Sequence, residues 1–141
     1  MIGDEPLLGY QFWVELVGNV VGGFSECSGL QAETQVDEWF EGGDNTTVLK
    51  FPGRTRYGNI TLKHGFTQSP ELWFWYMRVM RGTFERRPLT IILLGQDGSR
   101  VRAWNFSHAF PVKWTGAELR ADSRTAAIES LEFAHEGIVG F

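Results

Sequence analysis

The chain has one cysteine, Cys27, among its 141 residues. A single thiol closes no intramolecular disulfide, so folding does not depend on an oxidising compartment. Histidine is also scarce: His64, His108 and His135 lie far apart, and none has a partner at the H-x₃-H or C-x₂-C spacing of a metal site. No stretch approaches the ~20 apolar residues of a membrane span, and residues 1–9 lack the basic start and apolar run of an export signal. A soluble chain made in the cytoplasm, with no stable membrane association of its own, is expected. Positive charge is in deficit, with 13 Lys and Arg against 17 Asp and Glu and a net charge of −4. That balance excludes free association with phosphate backbones, which draws its affinity from clustered cations.

Catalytic patterns are missing as well. Gly23-Phe24-Ser25-Glu26-Cys27-Ser28-Gly29 has neither the G-x-S-x-G elbow nor a strand-to-helix context. A turn holding a buried small thiol is expected there. Glu129 and Glu132 have no second carboxylate set against them as in a glycosidase cleft. Gly42-Gly43-Asp44-Asn45 lacks the alternating acids and closing Glu of a calcium loop and reads as a flexible hairpin tip. No catalytic, cofactor-binding or metal residue is assigned, no cofactor is expected, and the chain is not expected to be an enzyme.

Aromatic residues are abundant, at 14% of the chain with six Trp, and such side chains favour strands and interfaces. The length suits one domain, residues 1–141, that buries roughly two-thirds of its unfolded surface. Tyr10, Phe12, Val14 and Leu16 alternate with Gln11 and Glu15, the period of a half-buried strand. Gly18-Asn19 turns the chain into Val20-Val21, a strand that Gly22-Gly23 is expected to stop. Residues 31–40 stay extended but polar, with Glu33, Gln35 and Asp37 on one face and Ala32, Val36 and Phe40 on the other. The turn formers from Glu41 to Thr47, then Val48 to Phe51 and the breaker Pro52-Gly53, predict a long projecting hairpin over about 41–56. Ile60, Leu62, His64 and Phe66 form the returning strand.

One helix is predicted over about 70–81. Ser69 is the expected cap, Pro70 the first helical residue, Glu71 suits the dipole, and Arg78, Arg81 and Gly82 mark the end. Leu72, Trp73, Tyr76, Val79 and Met80 make one apolar face, while Phe74, Trp75 and Met77 leave little of the other face polar. Such a helix is expected to be covered on two sides, by its own sheet and by a neighbouring subunit, with Trp73, Phe74, Trp75 and Met77 as interface candidates. Beyond it, Leu89 to Leu94 and Val101 to Phe106 flank the hairpin signal Asp97-Gly98. Phe110, Val112 and Trp114 continue the alternation, with Pro111 suggesting an edge or strand start. The basic residues Arg86-Arg87 and Arg100 with Arg102 are read as solvated, or as partners for acids across a subunit boundary. Ala127, Ile128, Leu131 and Ala134 fit a helix behind an Asp122-Ser123 cap, or a strand with a bulge near Glu129-Ser130, and periodicity leaves both open.

A series of short motifs carries a resemblance. Phe24-Ser25-Glu26-Cys27-Ser28-Gly29-Leu30, Glu41-Gly42-Gly43-Asp44-Asn45, Pro52-Gly53-Arg54 and Tyr57-Gly58-Asn59-Ile60-Thr61-Leu62-Lys63-His64-Gly65 come first. Arg86-Arg87, Trp104-Asn105-Phe106, Ala109-Phe110-Pro111-Val112-Lys113-Trp114 and Glu129 to Gly137 follow. In this order and spacing the chain resembles the tail-tube (inner tube) proteins of contractile-tailed phages and phage-like contractile injection systems, and the resemblance selects the strand for the last segment. It departs at Cys27, where many members carry a small or aliphatic residue, and in the aromatic content of its helix.

The resemblance implies a mainly β fold, a β-barrel or sandwich-like tail-tube domain with one helix and a projecting hairpin. It implies a structural subunit of stacked hexameric rings, driven through a target envelope by contraction of a sheath. Implied partners are further copies of the chain, the sheath protein, baseplate and tube-initiator proteins, and effector protein or phage DNA as cargo in the lumen. Assembly in the cytoplasm would precede incorporation into a tail or a released particle. Glu41, Gly42, Gly43, Asp44, Asn45, Thr46, Lys50 and Arg54 become the candidates for contacts between subunits and rings. Two other readings remain: a tube-initiator paralogue at the baseplate, and a monomeric ligand-binding β-barrel with the aromatics lining a pocket.

Overall fold

The computed structural model describes residues 9–43, 47–67, 69–117 and 127–139. In chain order the described elements are β1 (Phe12–Leu16), β2 (Asn19–Ser28), β3 (Ala32–Phe40), β4 (Val48–Tyr57), β5 (Ile60–Thr67), α1 (Glu71–Met80), β6 (Arg87–Leu94), β7 (Arg100–Gly116), β8 (Ala127–Ala134) and β9 (Gly137–Val139). Asp44, Asn45, Thr46, Asp122 and Ser123 lie outside the described residues.

Six antiparallel strands run in the order β6-β1-β2-β5-β8-β7, and a further β6–β7 pairing closes them into a barrel, as the mainly β reading expected. Closure removes the free edges that an open sheet of these strands would expose. Inward residues of all six strands, among them Val14, Phe24, Leu62, Ile91, Phe106 and Leu131, form a core in which no buried member is more than 3% exposed. Leu72 and Trp75 of α1 complete it. On the opposite face of β1 and β6, Trp13, Ile92 and Leu94 make a second, smaller cluster.

Alternation slips once across three neighbouring strands. Two successive residues point outward at Ser25-Glu26 in β2 and Lys63-His64 in β5, and Glu129-Ser130 marks the same level in β8. His64 has φ +53°, and the β7–β8 register shifts between Thr115 and Gly116, opposite Glu129. A bulge of this kind restores inward facing for Leu131 and Phe133 after Ile128. The last segment is therefore a strand with its slip where the pattern predicted it.

Several local expectations need correction. The first hairpin turns on Val17-Gly18, with φ +50° and +81°, and Asn19 already pairs with Leu16. Gly22-Gly23 do not stop β2, because β1 and β5 pair with them on both sides and the side chains of Thr67 and Leu72 occupy the space above Gly22. Cys27 lies in that strand rather than in a turn. Pro52-Gly53 do not break β4 either. Thr34 pairs with Thr55 but Val36 with Pro52, so a bulge absorbs the extra residue and tolerates proline. Pro111 sits inside the 17-residue β7, at the handover of pairing from β6 to β8. Pro70 occupies the helix N-cap, while the Ser69 hydroxyl accepts from the Glu71 N–H at 3.3 Å. The helix ends as its sequence indicates. Gly82, at φ +88°, donates to the carbonyl of Val79 and Thr83 to that of Arg78, the paired bonds of a Schellman stop.

Gly65 faces inward, and a Cβ there would lie 2.2 Å from Cδ1 of Phe24, whose ring fills the space. Gly65→Ala is expected to cost about 1–3 kcal/mol by overpacking, read as a lowered urea midpoint at unchanged slope. An unchanged midpoint would show that the Phe24 ring is free to move aside.

Candidate assembly interface

β3 and β4 pair only with each other and stand apart from the barrel as a two-stranded arm. Every residue of β3 is exposed, although Val36, Trp39 and Phe40 are apolar, and Phe40 is 69% exposed. The cross-strand register sorts the arm into two faces. Trp39 opposite Leu49 and Asp37 opposite Phe51 make one, while Phe40 opposite Val48 and Val36 opposite Pro52 make the other. Both faces are apolar toward the tip and wet. An isolated two-stranded ribbon is marginally stable in water at best, so this arm draws little stability from its own chain.

The assigned tip residues fall on this arm. Glu41, Gly42 and Gly43 are exposed at the end of β3, Lys50 pairs with Glu38, and Arg54 lies in the β4 bulge. Arg54 and Arg56 line a cleft with Glu33 and Gln35 nearer the base. The projecting hairpin is longer than predicted, because all of β3 and β4 belong to it.

At its base the arm is fastened to the barrel. Gly29 has φ +88°, and a Cβ on it would lie 1.9 Å from the carbonyl oxygen of Asn59, so only glycine lets the two legs meet. His135 of the β8–β9 turn places Nε2 3.0 Å from the Gly58 carbonyl. Its ring packs against Tyr57 at 5.4 Å and Phe106 at 4.9 Å. Sequence gave no signal for this contact, since His135 and Gly58 are 77 residues apart.

The helix divides differently from the prediction. Leu72 and Trp75 face the core, and Trp75, fully buried, donates its indole N–H to the Glu85 carbonyl at 2.8 Å. It is therefore not an interface residue. Trp73, Phe74 and Met80 are exposed, and Met77 is half-buried. Phe84, just beyond the helix, is 92% exposed. Successive turns of 100° place Trp73, Phe74, Met77 and Met80 opposite the core-facing pair. Sequence reasoning passed over Phe84, Met80 and Trp39 as surface residues. The adjacent aromatics Trp39-Phe40 were the available signal, because neighbouring strand positions point to opposite faces and both cannot be buried in one sheet face.

Four arginines find acids within the chain. Arg78 pairs with Glu85, Arg86 with Glu136 at 2.6 Å, Arg87 with Glu71 at 3.7 Å and Arg100 with Glu15 at 3.6 Å. Arg86, Arg87 and Arg100 thus need no acid from another subunit. His64 lies between Glu26 at 3.8 Å and Glu129 at 3.5 Å on the outward bulge, and His108 lies 3.5 Å from Glu136. Burial pushes the Cys27 thiol up to about 11, which leaves it a poor nucleophile. Among the described residues no group of His, Cys, Asp or Glu is placed to hold a metal ion, and no helix is long and apolar enough to cross a membrane.

A barrel closed by six strands, one packed helix and a free-standing arm define a protein that exposes assembly surfaces. The family model for the T4-like virus tail tube protein gp19 matches residues 8–139. The chain belongs to that tail tube family and is a tube protein. Among solved structures it is similar to a chain of the cryo-EM structure of the anti-feeding prophage baseplate, 6-fold symmetrised, at 27% identity and a TM-score of 0.69 over 94% of this chain and 93% of that one. It is similar at 27% identity and a TM-score of 0.68 to a chain of the extracellular contractile injection system PVC sheath-tube complex in its extended state, over 92% of this chain and 87% of that one. Hcp1 from Flavobacterium johnsoniae shares the fold at 18% identity and a TM-score of 0.52, over 94% of this chain and 97% of that one. No curated protein is matched.

Burial holds the His135 imidazole below its ordinary pKa, against the hydrogen bond to the Gly58 carbonyl. The unfolded chain therefore takes up this proton first, and stability falls as pH drops below the ordinary value of 6.5. The melting temperature is expected to fall between pH 7.5 and 5.5. His135→Gln, which keeps a donor for Gly58 but does not titrate, should flatten that window. Equal slopes for the two proteins would assign the loss to other groups.

Proposed function

We propose that this chain, as one tail-tube domain over residues 1–141, is the repeating subunit of the inner tube of a phage-like contractile injection system or phage tail. Copies close into hexameric rings, and the rings stack into a rigid channel. The observation that carries this reading is the free-standing arm with two apolar faces, which its own barrel leaves uncovered and another copy can cover. The likeness to chains of a baseplate and of an extracellular sheath-tube complex supports a sheath around the tube, a baseplate beneath it and a place in a phage tail or released particle; assembly in the cytoplasm before that is part of the same proposal. Effector protein or DNA is the cargo that such a lumen would carry. Function of this kind needs stiffness and a bore rather than bond chemistry, so the chain acts without being an enzyme.

The core supports a structural role over a ligand-binding barrel. Trp75, Phe24, Phe106 and Phe133 fill the interior, each less than 2% exposed, where a ligand would need space. A tube-initiating paralogue at the baseplate is the second reading, supported by the similarity to the anti-feeding prophage baseplate chain.

Negative-stain microscopy of concentrated protein is expected to show sixfold rings or stacked tubes. Deleting residues 43–50 should leave the barrel folded and abolish long tubes. Long tubes from the deletion variant would remove the arm from assembly, and a strictly monomeric wild-type protein would overturn the tube subunit itself.

A further inference from the structure

The arm and the outward face of α1 are the two concentrated apolar surfaces of the described chain. A helix whose core face is already packed ordinarily turns polar residues to water, yet α1 exposes Phe74 and Met80, with Trp73 part-exposed beside Trp114 and Met77 half-buried on the same side. Resting on the tube reading, we infer that the arm of one copy lies along the outward face of α1 in a second copy.

Three observations select this pairing. First, the sizes agree. The ten residues of α1 span ~15 Å, and the apolar stretch of the arm, five residues from Val36 to Phe40 opposite Val48 to Pro52, spans ~16 Å. Second, charge distinguishes the arm's two faces. The face with Trp39 and Phe51 also carries Asp37 and no cation in register with it, whereas the face with Phe40 and Val48 carries Glu38 and Lys50 opposite each other in register. At the C-cap of α1 the exposed Arg81 makes no ion pair among the described residues. The Trp39 face therefore brings unmatched acid to an unmatched cation, with aromatic and thioether contacts beside it. Third, the two surfaces differ, so the contact is heterologous. Head-to-tail contacts generate a ring when the rotation closes, the geometry a tube subunit requires.

The arm does not reach its own helix in this way. It is a paired ribbon, fastened at its base by Gly29 against Asn59 and by His135 on Gly58, and folding back would break those contacts.

Trp39→Cys combined with Met77→Cys, oxidised in the assembled state, tests the pairing on a non-reducing gel. Native Cys27 contributes little, because burial holds its thiol up at about 11. A ladder of multimers is expected from the double variant, several-fold above either single variant. In parallel, Asp37→Arg and Arg81→Asp should each shift sedimentation toward monomer, and the combination should restore assembly. Unchanged far-ultraviolet circular dichroism and a cooperative melt would confirm that each variant is folded. Rings that form without a ladder, or a ladder that is as strong for Trp39→Cys with Val101→Cys, would overturn the pairing and leave the tube reading standing. A wild-type protein that stays monomeric when concentrated would overturn both.

Discussion

Closure of the barrel between β6 and β7 is the constraint from which the rest follows. Once those strands pair, each of the six barrel strands has a neighbour on both sides, and the core no longer depends on any other copy of the chain. Among the described strands, β3 and β4 lie outside the ring and pair only with each other, so each keeps one free edge. Stability and assembly are thereby separated. The barrel holds itself together by internal burial, while the arm contributes little to that core and remains available to a partner.

Closure also fixes where irregularity is tolerated. Six strands with one inward face cannot keep strict alternation and a shared curvature over their full length, and the slip through Ser25-Glu26, Lys63-His64 and Glu129-Ser130 relieves this at one level of the barrel. His64 and His108 both adopt positive φ, at +53° and +50°, a conformation in which His is several-fold enriched among non-glycine residues. His135 plays a different structural part, fastening the base of the arm through Gly58.

Much of this was legible in the sequence, and the failures share a cause. Period-two alternation located β1 and β5, the Asp97-Gly98 signal placed β6, the family resemblance decided for a strand at the bulged β8, and the proline and glycine signals bracketed α1 within a residue. What misled were Gly22-Gly23, Pro52-Gly53 and Pro111, each a breaker by local chemistry and each inside a strand. Pairing on both sides or a bulge at the same point overrides local propensity, and neither is visible in a window of a few residues. The helix faces failed for a different reason. When Trp73, Phe74, Trp75 and Met77 are all apolar, periodicity gives no phase, and only the position of the barrel decides that Trp75 points inward. The arm's attachment through His135 and Gly58 depends on tertiary proximity alone.

The apolar residues that the fold leaves outside are informative because they are costly. A monomer gains nothing from Trp39, Phe40, Phe74 and Phe84 in water, and such surfaces invite indiscriminate association. They are tolerable if the protein exists chiefly at high local concentration of itself, where mass action keeps them covered. Splitting the surfaces between an arm and a distant helix face, rather than placing them on one self-complementary patch, disfavours a closed dimer and favours continued head-to-tail growth. A ribbon that is marginal alone and firmer once covered would couple the order of the arm to assembly, so that the arm is fixed where a partner covers it.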